Sequence, residues 1–527
     1  MISSGTRKRA KVSYIDEDSE IEQIENKKPV KRKRNKKSHS DDEFEINSRP
    51  NVIPSVTHLA SLHCIKDAKT IRTALLGWYA GVHEARGMPW RKPFDPSLDA
   101  KGRSQRAYEV WISEIMLQQT QVATVIPYYN KWMEKFPTIK DLARSDIESV
   151  NAIWKGLGYY SRAARLLSGA QKIVKEYDGI FPDNAKDMIE NVPGIGRYSA
   201  GAISSIAYNQ CEPVLDGNVN RLLSRMLALH ANPKGKATLD ILWSGAEAMV
   251  VDADRPGDTN QALIELGATV CKPRDPNCSS CPLTDHCNAY LESRNLPPQE
   301  QDIEELCSLC EPVTSEEDAG VMRYPMKVVR KKAREEIDLV NIVEWRSPQK
   351  KRFFLLVRRP EKGLLAGLHE FPSRVNVEDN ETKNQTSLRR IGQTELGNVL
   401  KNSVPPYTPS NLLGFKPKNN GESKTYRIQW ILLEGLERPD GKVDPPEPNT
   451  NYVFNGGDND ENSEETSKMP RKGGKKKEKA SEKVEEDKPG KTLRWVEYDE
   501  VSKANIGTGV MKVWKKANEA WATPTLV

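Results

Sequence analysis

Four thiols stand in the stretch CKPRDPNCSSCPLTDHC, at Cys271, Cys278, Cys281 and Cys287. Thiolates at this density serve a soft metal or an iron–sulfur cluster. Structural zinc usually draws on two paired units about a dozen residues or more apart. Here one C-x2-C pair has a single cysteine on either side, so zinc is the weaker alternative and His286 a bystander. A second candidate is Glu114 in WISEIMLQQTQVATVIPYY. On a helical period its neighbours are Val110, Trp111, Leu117 and Gln118. A carboxyl among apolar side chains ionises reluctantly, which suits a general acid near neutral pH. The bland alternative is a glutamate on the polar face of an amphipathic helix. Asp216, in VLDGNVNRLLSRML, directly precedes a helical pattern and occupies an N-cap position. In NVPGIGRYSAGAISSIA, Gly194 and Gly196 follow Pro193 and make a tight reversal into a helix. Free N–H groups and the helix dipole make such a start an anion site, and in DNA the anion is phosphate. An ordinary helix–helix loop is the alternative.

The elements that must hold these residues follow from periodicity. The chain has 527 residues, a net charge of +6 and eight cysteines. That length suits two or three domains, and so few cysteines exclude a disulfide scaffold. No apolar run reaches the roughly 20 residues of a membrane helix, so no membrane partner is expected. Residues 1–55 read as a disordered tail, with basic blocks at Thr6–Lys11 and Lys27–Lys37 that suit nuclear import. The expected location is the nucleus, with a mitochondrial pool as a second expectation. Residues 56–292 carry helix-period segments, among them VWISEIMLQQTQVATVIPYYNKWMEKF, and RKPFDPSLDAKGRSQRAY reads as a surface loop. Residues 293–335 form a connector. From 336 to 527 the texture is α+β: IDLVNIVEW, RFFLLVRRP and YRIQWILLEGL as strands, QTSLRRIGQTELGNVL as a helix. Residues 437–491 read as a disordered insertion without a core.

The cysteine spacing closely resembles the [4Fe-4S] loop of the helix-hairpin-helix DNA glycosylase superfamily. Together, SEIMLQQTQV, GLGYYSRA, PGIGRYSAGAI, LDGNV and NQALIELGATVC resemble the MutY-type adenine DNA glycosylases, almost continuously over residues 60–290. The resemblance implies an all-α helix-hairpin-helix glycosylase domain with a structural [4Fe-4S] loop, and a hydrolase of the base–sugar bond. It implies Glu114 as the acid that protonates adenine and Asp216 as the stabiliser of the cationic sugar, supported by Tyr198 and Asn218. Glu265 matches the residue that binds the flipped adenine. Gln119, Thr120 and Tyr159 match residues that wedge into or line the opened duplex, and Trp90 and Arg91 match the pocket entrance. Bifunctional relatives carry a catalytic lysine at the position of Tyr198. A phenol cannot form that imine, so strand cleavage is not expected.

The segment RRPEKGLLAGLHEFPS resembles the Nudix-like C-terminal domain of the same family, a reader of 8-oxoguanine. The glutamate-rich hydrolase signature is absent, so nucleotide hydrolysis is not expected. The family's Phe-Ser-His loop is also missing from LLGFKPKNNGES, and no lesion-reading residue is assigned there. Cys307 and Cys310 form a second C-x2-C, in the connector. Animal relatives use connector cysteines for zinc, and His63 or Cys64 is the candidate to complete such a set; two ordinary reduced cysteines are the alternative. The expected partner is duplex DNA with A:8-oxoguanine or A:G mispairs, with a replication or repair clamp as a second candidate through the connector. The competing functions are an endonuclease III-like glycosylase/lyase acting on oxidised pyrimidines, and a damage binder without catalysis.

Overall fold

The computed structural model describes residues 58–294, 306–312, 320–328, 335–360, 365, 367–378, 385–401, 407–409, 413–415, 423–434, 436–437, 443–449, 452 and 493–522. The basic blocks of the N-terminal tail lie outside these residues. The chain divides into two compact units, Met1–Asp146 with Arg165–Arg330, and Ile147–Ala164 with Lys331–Val527. Residues 147–164 thus group with the C-terminal half, which sequence order does not suggest.

The helices of the N-terminal half are α1 (Ala68–Ala80), α2 (Ala100–Leu117), α3 (Val122–Lys135), α4 (Ile139–Ala143), α5 (Ile147–Trp154), α6 (Tyr160–Tyr177), α7 (Ala185–Asn191), α8 (Arg197–Tyr208), α9 (Gly217–Met226), α10 (Lys236–Val250), α11 (Pro256–Thr269) and α12 (Asn288–Glu292). Two boundaries correct the sequence reading. The expected surface loop ends at Asp99, whose carboxylate accepts from the Gly102 amide at 2.7 Å and starts α2 there. That cap gives the following residues a helical start. The expected single helix through Glu114 is two helices, because Gln119 takes a left-handed φ of 55° between α2 and α3. Leu75, Leu223, Leu242, Ala246 and Leu263 from α1, α9, α10 and α11 form a buried core in this unit.

The second unit is built on the strands β1 (Glu335–Arg346), β2 (Arg352–Arg358), β3 (His369–Glu370), β4 (Ser373–Arg374), β5 (Tyr407–Pro409), β6 (Leu413–Phe415), β7 (Ser423–Glu434), β8 (Leu436–Glu437), β9 (Val443–Asp444) and β10 (Leu493–Glu497), with α13 (Gln385–Val399), α14 (Tyr498–Val501) and α15 (Thr508–Ala522). The main sheet runs β10-β2-β1-β7-β5. β1 and β7 pair in parallel and the other pairs are antiparallel. Alternate residues face opposite sides. Phe354 and Leu356 pack with Val513 and Trp514 of α15. Leu355 and Val357 pack with Leu396 and Val399 of α13. The unit is therefore a sheet between helices, the expected α+β class. Part of the expected coreless insertion is ordered: β9 pairs with β8, and Tyr452 is buried in the α13-side core. An aromatic ring contributes enough apolar area to hold its segment against that face.

Candidate active site and metal centres

α7, the turn through Gly194 and α8 form a helix-hairpin-helix. Gly194 has a φ of 82°, and a Cβ there would lie 2.7 Å from the Cβ of Arg165, so both conformation and space favour glycine. The turn sets Tyr198 in the first turn of α8, where its hydroxyl donates to Oε2 of Glu114 at 2.8 Å. Glu114 projects from α2, a helix whose Trp111, Ile112, Ile115 and Met116 are all buried. Its pKa is raised from 4.5 to about 7. Burial is the main cause and the charge of Asp216 adds to it; the Tyr198 hydroxyl and Arg91 oppose it. At neutral pH this carboxyl is divided between acid and anion, the state a proton donor needs.

Asp216 caps α9, with Oδ1 accepting from the Val219 amide at 2.7 Å and Oδ2 from Nδ2 of Asn218 at 2.7 Å. Burial raises its pKa, while those two donors and Arg221 favour the anion. Arg221 extends the network. It donates to Oδ1 of Asn218 at 3.0 Å, to the Gly267 carbonyl at 2.8 Å and to the Cys271 carbonyl at 2.9 Å. A Cβ at Gly267 would sit 2.7 Å from the Asn218 carbonyl oxygen, so glycine is what lets α11 approach the start of α9. The cap, its amide partner and the cysteine loop are thereby one connected structure.

Glu265, on α11, is 2% exposed and gripped by two arginines: Arg91 at 2.6 Å, and Arg86, which reaches both its oxygens at 3.1 and 3.2 Å. Any group that binds Glu265 must share it with these cations. Trp90 is buried edge-on to Tyr129, with ring centroids 5.2 Å apart, and forms wall rather than exposed rim. Gln119 is exposed and Thr120 partly so, in the turn that follows the helix of Glu114. Tyr159 is 48% exposed with a left-handed φ of 47°; it belongs to the other unit, beside Arg162. Arg86, Arg221 and Arg225 were not singled out in the sequence. The signal was present for Arg221 and Arg225, which lie four residues apart on the helix that Asp216 caps.

The four cysteines at 271–287 are free thiols, all partly buried. Burial, with the neighbouring thiols adding to it, pushes Cys281 up to about 11 and Cys287 up to about 12. Arg225 donates to the Cys271 sulfur at 3.2 Å. Packed thiols with a cationic donor suit a metal group that ionises them. A second set is tighter. Donor atoms of His58, His63, Cys307 and Cys310 lie within 4.8 Å of one another, a mixed imidazole and thiol group able to hold one metal ion. Nδ1 of His63 meets the Leu227 carbonyl at 2.8 Å, which orients Nε2 toward the Cys307 sulfur at 3.3 Å. Cys64 is exposed and stands outside the set; His58, which the sequence reading overlooked, takes that place. The connector cysteines reach these histidines because the Cys307 amide donates to the His58 carbonyl at 2.8 Å.

Residues 112–248 match the model of the HhH-GPD superfamily of base excision DNA repair proteins. The adenine DNA glycosylase of Rattus norvegicus is 42% identical over 387 residues, covering 70% of this chain and 72% of that protein. The Homo sapiens adenine DNA glycosylase is 41% identical over 410 residues, 73% of this chain and 72% of that one. A Nudix hydrolase of M. smegmatis, RenU, overlays with a TM-score of 0.22 at 14% identity, over 38% of this chain and 92% of that one. Hairpin, paired carboxyls and family model together define a helix-hairpin-helix base excision enzyme. The chain belongs to the adenine DNA glycosylases.

Proposed function

We propose that this enzyme removes adenine mispaired with 8-oxoguanine or guanine from duplex DNA, by hydrolysis and without cutting the strand. The observation that carries the reading is the Glu114–Tyr198 pair beside Asp216. Adenine leaves the stack and enters the pocket, at a cost of a few kcal/mol. Glu114 gives its proton to a ring nitrogen of the base. The N-glycosidic electron pair departs with the base, now neutral, and positive charge develops on the sugar. Asp216, held anionic by Val219, Asn218 and Arg221, stabilises that charge. Water adds to the anomeric carbon and releases a proton. Tyr198 has no amine to capture the sugar, so an abasic site remains. Glu265 with its arginines binds the extruded base, and Gln119, Thr120 and Tyr159 fill or line the opened duplex. The C-terminal unit is a Nudix-like reader of the opposite base. The location is nuclear, and a clamp binds through the connector.

The cysteines at 271, 278, 281 and 287 hold a [4Fe-4S] cluster, whose contribution is to brace the loop tied to Asp216 by Arg221. His58, His63, Cys307 and Cys310 hold zinc and fasten the connector. Metal analysis of the purified chain is expected to give about four iron atoms and about one zinc ion. Cys307→Ser is expected to lose the zinc alone and keep the iron absorbance. Loss of both metals, or of neither, counts against two separate centres.

A single-turnover assay on A:8-oxoguanine and A:G duplexes tests the function. Adenine release with intact strands until alkali is the expected result, and borohydride should trap little covalent adduct. Efficient trapping, with release of oxidised pyrimidines, would replace this reading with that of a glycosylase/lyase.

A further inference from the structure

At the end of the β1–β2 hairpin, Glu344 is fully buried and surrounded by donors. Arg352 reaches it with both Nε at 2.7 Å and Nη2 at 2.8 Å. Trp430 donates its indole N–H at 2.9 Å, and Arg346 adds Nε at 2.8 Å. Burial would raise this carboxyl, yet the arginines hold it below the usual range. One bidentate guanidinium already balances one carboxylate, so Arg346 is a surplus cation. It is 45% exposed and its guanidinium lies 5.8 Å from the centre of the Trp430 ring. Among the described residues nothing pairs with its two Nη groups. Glu344 thus holds this guanidinium through its Nε beside the Trp430 ring, while the side chain stays exposed.

Further cations stand beside it. Arg346 and Arg352 are cross-strand partners, and the turn between them contains Lys350 and Lys351. Lys351 pairs with Glu497 at 3.2 Å. Lys350, exposed and in a left-handed φ of 63°, pairs with nothing among the described residues. Arg352 lies 4.4 Å from the centre of the Trp521 ring and is itself 26% exposed. Among the described residues, Glu344 and Glu497 are the carboxylates that pair with these four cations, and Lys350 and the Nη groups of Arg346 are left without one. Fixed, forked guanidinium groups suit phosphate geometry better than mobile lysines alone.

We propose that the tip of the β1–β2 hairpin, led by Arg346 and Lys350, is a binding surface for the phosphodiester backbone of duplex DNA, outside the glycosylase site. The inference rests on duplex DNA being the substrate. Backbone contacts add affinity without reading sequence, and each one makes binding more sensitive to salt.

The test uses the full chain with Arg346→Gln and Lys350→Gln together. Duplex affinity at about 0.15 M salt is expected to fall roughly tenfold, and the slope of log Kd against log salt to drop by about two. The single-turnover rate with enzyme in excess stays unchanged, since neither residue touches the catalytic groups. Arg346→Lys keeps the charge and is expected to recover most of the slope. Should the double variant fold poorly, Lys350→Gln alone, which breaks no contact, is expected to lower the slope by about one. A variant that binds duplex with unaltered affinity and slope overturns the proposal, and an acidic protein segment then becomes the better occupant. Failure of the function itself looks different: the unmodified enzyme would bind duplex yet leave adenine in place.

Discussion

Glu114→Gln is expected to slow adenine release by about three orders of magnitude while duplex affinity stays within a few-fold. The size follows from what a positioned general acid contributes, roughly 10²–10⁴, with the charge-sensing partner Asp216 left in place. Gln has the shape of Glu and can still accept from Tyr198, so the pocket survives. The same substitution is expected to stabilise the fold. A carboxyl whose pKa is 4.5 when unfolded and about 7 when folded keeps its proton longer in the native state. Its penalty is absent below pH 4.5, grows as pH rises, and is complete above about 7. At pH 8 that amounts to roughly 3 kcal/mol. Denaturant melts of the two proteins should therefore agree near pH 4.5 and diverge toward pH 8, with the Gln variant more stable. The wild-type single-turnover rate should fall as pH passes 7, when the acid form is lost. A Gln variant that excises adenine at the wild-type rate removes Glu114 as the acid.

Glu114 was legible in the sequence because one helix brings its apolar neighbours with it. The cap at Asp216 was legible for the same local reason, and so was the cysteine loop, whose ligands lie within 17 residues. What could not be read are partnerships across the chain. The grip of Arg86 and Arg91 on Glu265 joins residues about 180 positions apart, and nothing local marks a buried glutamate as paired. His58 meets Cys307 and Cys310 only because the connector folds back, and a lone histidine near a chain end carries no signal of that. In the second unit the strands were readable as β-rich runs. The parallel pairing of β1 with β7 was not, because parallel neighbours need a long crossover and leave no turn signature. The break at Gln119 shows the limit of periodicity from the other side. The apolar pattern runs on through LQQTQV, and only the backbone there turns left-handed. That left-handed residue directly follows the helix of Glu114, and local propensity gives no sign of it.

Asp216→Asn is expected to slow adenine release by about 10²–10³, the cost of losing one preorganised charge, while leaving the fold intact. Asn caps a helix about as well as Asp, so its Oδ1 can keep the Val219 amide. The trouble lies at the other atom. Oδ2 now accepts from Nδ2 of Asn218 at 2.7 Å. An amide nitrogen in its place would set donor against donor, and turning Asn218 around to relieve this gives up its carbonyl bond to Arg221 at 3.0 Å. The developing cation on the sugar thus loses both a negative charge and the arrangement that held it still. A second readout separates this from simple misfolding. The charge of Asp216 is one of the causes that raise the Glu114 pKa. Removing it should move the fall in residual activity to lower pH than in the wild type. Single-turnover rates measured from pH 5 to 9 on an A:8-oxoguanine duplex would show both effects. A variant with reduced rate but an unmoved pH profile would mean that the two carboxyls do not sense each other, and the paired-carboxyl mechanism would fail with it.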